Sequence, residues 1–407
     1  MTAKTKSGFE TLAQARISPQ EQLMKVKKGK NSFFIGLPRE ISLQENRICL
    51  TPDAIALLTN HGHEIWVETK AGIGSRFSDK QYSEAGAKIV YSAQEAFKAD
   101  IILKIEPPTL AEIEYFKPGQ ILISALQLGH LEKNFIDAII SKRITSLAWE
   151  FIEDKVGGMP IIRSMSEIAG STVMLIAAEY LSSIHDGKGI ILGGITGVPP
   201  TKVVIIGSGT VAEYSARAAL SLGAEIQVFD NHLYKLRRIK HTLGHQFYTS
   251  TIDTATLGES LTTADVVIGA LRIEKGRARH VVSEEMVSKM KPNSLIIDLS
   301  IDQGGCIATS EITTHAKPVF RKYDVIHYCV PNVASRVAHT ATTALSNIFT
   351  PTILRAAEEG GVEHMIFAHK WFMKGVYTYK GGLTNESLAR KFGLKFKNIE
   401  LLMAAQL

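Results

Sequence analysis

The residues whose types and spacing most plainly do chemistry lie mid-chain. Val203-Val204-Ile205-Ile206 is a β-branched run suited to a buried parallel strand. It feeds Gly207-Ser208-Gly209-Thr210-Val211-Ala212, a G-x-G-x-x-A turn that opens an alanine-rich helix ending at Leu222-Gly223. Gly207 permits the tight turn, and Gly209 lets an anionic group approach the backbone at the helix N-terminus. Ala212 is small enough for helix and strand to pack closely. The next strand, Glu225-Ile226-Gln227-Val228-Phe229, ends in Asp230, where a carboxylate accepts hydrogen bonds from a ribose 2′-OH and repels a 2′-phosphate. Strand, turn, helix, second strand and terminal acid together describe a dinucleotide site, for NAD in preference to NADP. Lys235, Arg237 and Arg238 would favour a phosphate, but they read as one face of an exposed helix.

A second set stands at a helix start, a strand end and a glycine-rich loop, the places where α/β folds hold ligands. Arg47 lies just before a helix start, where a guanidinium can grip a carboxylate with two parallel bonds. Lys104 ends the apolar strand Ile101-Ile102-Leu103, and open α/β sheets bind ligands at such strand ends. Asp302 precedes Gln303-Gly304-Gly305, a loop whose glycines let backbone come close to a ligand. Asp298, at a strand end, suits a structural or ribose role.

The elements that must position these groups alternate. Strands are expected at 33–37, 64–67, 101–105, 121–124 and 144–148, and again at 202–206, 225–229, 265–269, 294–298 and 325–329. Helical stretches lie between most of them, so βαβ crossovers and mostly parallel sheets follow. Thr51 reads as an N-cap with Pro52 at the first helical position. Long helices are expected over 165–184 and 340–359, where the chain leaves one domain and returns to it. A chain of 407 residues exceeds what one core uses.

Net charge is +6, but residues 1–30 carry seven basic side chains against Glu10 and Glu21, so the body is near neutral and no nucleic-acid partner is expected. No unbroken apolar run of membrane-spanning length is visible, and the polar first thirty residues give no reason to expect a secretory leader. Cys49, Cys306 and Cys329 are few and far apart, forming neither a disulfide framework nor a metal pattern, which fits a cytoplasmic setting and no metal.

From about Ile35 onward the chain resembles the alanine dehydrogenase and transhydrogenase family. The resemblance rests on Ile35-Gly36-Leu37-Pro38-Arg39-Glu40, Glu45-Asn46-Arg47, Leu50-Thr51-Pro52, Ala71-Gly72-Ile73-Gly74-Ser75, Met165-Ser166-Glu167-Ile168-Ala169-Gly170, Leu192-Gly193-Gly194 and Tyr377 to Asn385. Asp298-Leu299-Ser300-Ile301-Asp302-Gln303-Gly304-Gly305-Cys306 is similar to the dehydrogenase branch and unlike the transhydrogenases. It implies an α/β fold with two Rossmann-like domains. A doubly wound NAD-binding domain (165–335) would be inserted into a discontinuous substrate domain (31–164 and 336–407), after a basic extension (1–30). The implied activity is reversible oxidative deamination of L-alanine, or a related small 2-amino acid, to the 2-oxo acid and ammonia, in a homo-oligomer, a hexamer by the resemblance.

By the same resemblance Arg47 is the substrate arginine, Lys104 the catalytic lysine, and Asp302 the active-site aspartate beside the nicotinamide. Met165 and Ser166 contact substrate and cofactor, and Asn332 sits in the loop that closes over the site. Gln127 stands where the family has a histidine. Glutamine exchanges hydrogen bonds but does not titrate, and His130 is three residues further on. The stretch Ala334 to Thr340 also departs from the family pattern. An NAD-binding homologue with little turnover, acting as a sensor or assembly subunit, is the alternative reading, and a transhydrogenase subunit the third.

Overall fold

The aliphatic runs pair into two sheets in a computed structural model that describes residues 32–42, 44–127, 131–271 and 280–404. The first part of the chain supplies β1 (Phe34–Leu37), β2 (Glu64–Glu68), β3 (Lys88–Val90), β4 (Ile101–Leu103), β5 (Ile121–Ser124) and β6 (Thr145–Ala148). The middle supplies β7 (Lys202–Ile206), β8 (Glu225–Phe229), β9 (Tyr248–Ser250), β10 (Val266–Gly269), β11 (Leu295–Asp298), β12 (Val319–Lys322) and β13 (Val325–Tyr328). The chain then returns to the first sheet with β14 (Val376–Tyr379) and β15 (Gly382–Leu383).

Among the described residues the two sheets run β15-β14-β6-β5-β4-β1-β2-β3 and β12-β13-β11-β10-β7-β8-β9. Each contains the doubly wound order, with the first strand beside the fourth, so each has a switch point where successive crossovers leave in opposite directions. That point lies between β1 and β4 in one sheet and between β7 and β10 in the other. Antiparallel pairing is confined to β12, β14 and β15 at the edges.

Alternation explains why the parallel strands read as unbroken apolar runs. Ile101 and Leu103 enter one core while Ile102 enters another on the opposite face. Val203 and Ile205 likewise part from Val204 and Ile206. Both faces of each sheet are therefore covered.

The helix Pro160–Leu181 joins the two halves, and Pro160 fits its first turn. Ile161 and Met165 pack on the first core, whereas Val173, Ile176, Ala177 and Tyr180 belong to the second. The expected boundary at 164/165 therefore falls inside a helix. This helix is also long and apolar enough to cross a membrane by length and composition, which the sequence reading did not expect. Its apolar residues are so many because one helix serves two cores. The helix Ala338–Glu358 makes the return crossing and puts Leu345, Phe349 and Ile353 into the first core.

The linking helix lies against the helix that follows the glycine turn, Thr210–Ser221, at Gly170. A Cβ there would sit 2.5 Å from the Val211 carbonyl oxygen and 2.8 Å from the Tyr214 Cβ. Gly170→Val should force the two helices apart and cost about 1–3 kcal/mol, as overpacking does. Thermal melting should show the loss, and an NADH titration should show weakened binding, because the displaced helix carries the turn.

Candidate active site

The segment Gln44–Thr51 carries Arg47 and has no regular structure of its own, so its shape comes from what grips it. Asn46 N–H donates to Ser335 Oγ, Ile48 N–H to Thr342 Oγ1 and Thr51 N–H to Ser346 Oγ, all around the start of the return helix. Ser75 Oγ donates to the Asn46 carbonyl at 2.8 Å. A Cβ on Gly74 would lie 2.6 Å from that same oxygen, which is the physical reason a glycine precedes Ser75. The Ala71–Ser75 motif thus acts as a bracket for the arginine segment.

Arg47 is 6% exposed and is forked by Glu45, with Nε to Oε1 at 2.7 Å and Nη2 to Oε2 at 2.6 Å. One edge of the guanidinium is therefore already occupied. The other edge faces Met165 Sδ, 3.4 Å from Nη1, and Glu106 Oε1, 3.8 Å from Nη2. Asn332, at φ 59°, donates from Nδ2 to Glu45 Oε2 at 2.6 Å. Three expected substrate residues, Arg47, Met165 and Asn332, meet here, brought from the first domain, the linking helix and the end of the second.

Lys104, at the end of β4, is buried between two carboxylates. Its Nζ lies 2.9 Å from Glu112 Oε1 and 3.4 Å from Glu40 Oε2, and the side chain is 1% exposed. Glu40 follows β1, and its Oε1 accepts from the Ile105 N–H at 2.6 Å. The Ile105 carbonyl in turn accepts from Ala125 N–H and Trp149 Nε1. The strand end at the switch point is thereby fixed, and the side chain it presents is Glu106.

Glu106 is hydrogen-bonded by Gln127 Nε2. Gln127 is held at φ 48° with its own N–H on Glu150 Oε1. Burial, and then the charge of Glu45, push the Glu106 carboxyl up to about 8, against the pull of Arg47. Glu45 goes the other way. Burial disfavours its charge, but Arg47 and the bond from Asn332 hold it below the ordinary carboxylate range. Burial also raises Glu40 and Glu150. The site can thus keep one ionised carboxylate and one protonated carboxyl side by side at neutral pH.

At the second switch point, Gly207 has φ 110°, and a Cβ on it would meet the Ala270 carbonyl oxygen at 2.4 Å. A Cβ on Gly209 would meet nothing within 4 Å, so the turn is open at the N-terminus of the helix Thr210–Ser221. Ala212 is fully buried. Asp230 is 2% exposed and takes the Ser208 N–H and Oγ on one oxygen, at 2.9 and 2.7 Å, and the His232 N–H on the other at 2.8 Å. Burial opposes its charge, but these bonds keep its pKa below the usual value. An open glycine turn facing a helix N-terminus, with an ionised acid at the next strand end, fits a dinucleotide with a free 2′-OH. Arg238 Nη2 donates to the Ser208 carbonyl at 2.9 Å, so one of the three basic residues does reach the turn.

Asp298 is structural. Its carboxylate accepts from the N–H groups of Ser300, Cys306 and Ile307 and from Ser310 Oγ, which closes the loop bearing Asp302. Asp302 lies exposed on the short turn Ile301–Gln303, past the end of β11. Ser166 follows Met165 on the linking helix and is half-buried.

The alanine dehydrogenase/PNT N-terminal domain model matches residues 36–169, and its C-terminal partner matches residues 173–386. The chain belongs to the alanine dehydrogenase/PNT family. It is 37% identical over 370 residues to an alanine dehydrogenase of Methanococcus maripaludis, covering 90% of this chain and 99% of that one. It is also 37% identical to an alanine dehydrogenase 2 of Staphylococcus aureus over 367 residues, 90% and 98% of the two chains. A solved L-alanine dehydrogenase superposes with a TM-score of 0.82 at 32% identity, over 88% of this chain and 99% of that one.

Family resemblance led to Arg47, Met165 and Asn332 but passed over the carboxylates around them. Glu40 and Glu45 lie in the family's opening motif, and Glu106 stands two residues beyond Lys104 on the same strand end. The alternative acid/base, His130, lies outside the described residues.

Lys104→Met should leave Glu40 and Glu112 buried without their cation and cost about 3–5 kcal/mol. Adding Glu112→Gln should recover part of that in denaturant unfolding. Stability should also depend on pH in a definite sense. Between the ordinary value of 4.5 and about 8 the folded chain holds a proton on Glu106 that the unfolded chain releases. Stability is therefore greatest below that window and falls as pH rises through it. Melting temperatures across the window should fall less steeply in Glu106→Gln.

Proposed function

We propose that this protein is an NAD-dependent amino-acid dehydrogenase of the alanine dehydrogenase type. It interconverts a small 2-amino acid, alanine first among candidates, with its 2-oxo acid and ammonia. The observation that carries the reading is the second edge of Arg47, held only by the Met165 sulfur and the more distant Glu106 at the switch point of the first sheet, with Asn332 arriving from the nucleotide-binding half. The names of the relatives support the same activity.

When bound at the Gly207–Gly209 turn, the nicotinamide dinucleotide supplies the two-electron oxidant for the substrate's α-carbon. Arg47 holds the substrate carboxylate on its second edge, and Met165 forms a wall beside it. Asn332 steadies Glu45, which keeps the guanidinium oriented. Asp230 would take the adenosine ribose, and Asp302 and Ser166 would contact the nicotinamide end of the dinucleotide. Lys104 acts as a positioning residue through Glu40, and Gln127 contacts the reacting end of the substrate. The enzyme works in the reducing cytoplasm, with Cys49, Cys306 and Cys329 buried as free thiols. Copies of the chain assemble as a homo-oligomer, for which Ile162 and Leu175 offer exposed apolar surface on the linking helix.

A sensor without turnover draws support from the non-titrating Gln127. The titratable carboxyl beside the arginine favours the enzyme.

NADH absorbance with pyruvate and ammonium should decline in the presence of the purified protein. Asp230→Ala should weaken NADH binding about tenfold and narrow its advantage over NADPH, as expected for loss of a hydrogen bond to a charged group. Tight NADH binding with no consumption for any of a panel of 2-oxo acids would instead favour the sensor.

A further inference from the structure

We infer that Glu106 is the group that exchanges protons with the substrate, with Gln127 as its positioning residue. This inference rests on the dehydrogenase reading above and adds to it the acid/base that Gln127 cannot be.

The geometry sets Glu106 apart from the other carboxylates of the cluster. Glu45 is committed to both Nε and Nη2 of Arg47, and Glu112 to Lys104 and the Thr109 cap. Glu40 is committed to Lys104 and to the Ile105 N–H. Glu150 holds the Leu126 and Gln127 N–H groups. Glu106 instead holds no cation closely: it stands 3.8 Å from Nη2 at the second edge of the guanidinium, shares a hydrogen bond with Glu45, and has its side chain 12% exposed. A substrate whose carboxylate docks on that edge brings its α-carbon and nitrogen beside Glu106.

The backbone around Glu106 is fixed, so the carboxyl is presented rather than swung in. Glu40 receives the Ile105 N–H, and also the Glu106 N–H at 3.4 Å. Gln127 donates to Glu106 from the loop after β5. The charged groups facing it are Glu45 and Arg47 from the arginine segment, Glu40 from the end of β1 with Lys104 behind it, and Glu150 beneath Gln127. Burial first, and then the charge of Glu45 against that of Arg47, keep the proton on this carboxyl into the range where a proton carrier works at neutral pH.

In deamination, Glu106 Oε first takes a proton from the α-ammonium and passes it to solvent. The freed nitrogen pair becomes the C=N bond as the α-carbon is oxidised by the bound dinucleotide. Water then adds to that carbon: the C–O bond forms, the C=N pair returns to nitrogen, and the water proton moves through Glu106 onto that nitrogen. Last, the C–N bond breaks with its pair leaving as ammonia, while the hydroxyl proton returns to Glu106 and C=O forms. Amination is the reverse and needs Glu106 protonated at the start. Docking of an anionic carboxylate beside Glu106 disfavours its charge further, so 2-oxo acid binding above neutral pH should draw a proton from solution.

The test compares wild type, Glu106→Gln and Glu106→Asp in two ways. Steady-state rates with alanine and NAD across pH should show kcat reduced about 10²–10⁴-fold in Glu106→Gln, with KM within a few-fold and the limb near pH 8 lost. Glu106→Asp should recover part of the rate and keep a limb. Glu106→Gln turning over like wild type with the same pH profile overturns the inference. Calorimetry of pyruvate binding to the NADH-loaded protein, in buffers of different ionisation heat, gives a readout without turnover. Proton uptake in wild type that is missing in Glu106→Gln supports the inference, and equal uptake or none contradicts it. If wild type deaminates nothing while this calorimetric difference holds, the dehydrogenase reading has failed but Glu106 remains the substrate-linked proton site.

Discussion

An excess of carboxylates around too few cations, all withdrawn from water, is the constraint on which this site depends. Glu40, Glu45, Glu106, Glu112 and Glu150 converge on the carboxyl ends of the first sheet, where Arg47 and Lys104 are their basic partners among the described residues. Burying that many negative charges unpaired costs more than any local contact returns. The cluster is tolerable because Arg47 holds Glu45, Lys104 holds Glu112 and Glu40, Glu150 takes the Leu126 and Gln127 N–H groups, and Glu106 at the edge keeps its proton. The same arithmetic that makes the fold acceptable leaves a proton-carrying group beside the substrate cation.

Everything around the cluster serves to keep it in place. The strand order sets Glu40 and Lys104 on neighbouring strand ends. The bracket formed by Gly74 and Ser75 fixes the arginine segment against the return helix, and the Asn332–Glu45 bond ties it to the second domain. The linking helix carries Met165 at the site and Gly170 against the helix of the nucleotide turn. Substrate and cofactor ends of the molecule are thus coupled through one rigid element. Any loosening of that element should be felt at both.

Legibility from sequence followed locality. The glycine turn, its strand and Asp230 lie within thirty residues and obey a fixed geometry, so their elements could be placed closely. Alternating apolar runs located the central strands to within a residue or two. The short strands β3, β9, β12, β14 and β15, at or next to the sheet edges, went unassigned, because two to four residues carry no period. The carboxylate cluster was illegible for a different reason. Its members come from separate segments, and a glutamate's proton affinity is set by neighbours that only the fold supplies. Lys104 shows the same limit: its strand-end position was evident, but Glu40 and Glu112, which occupy it, were not.

Infrared titration of protein carrying ¹³C-labelled glutamate, as the difference between wild type and Glu106→Gln, tests the central claim most directly. The account requires a protonated-carboxyl band belonging to Glu106 that survives at neutral pH and disappears around pH 8. A difference spectrum showing Glu106 fully ionised by about pH 6 would contradict it, since the excess negative charge would then be carried without a retained proton.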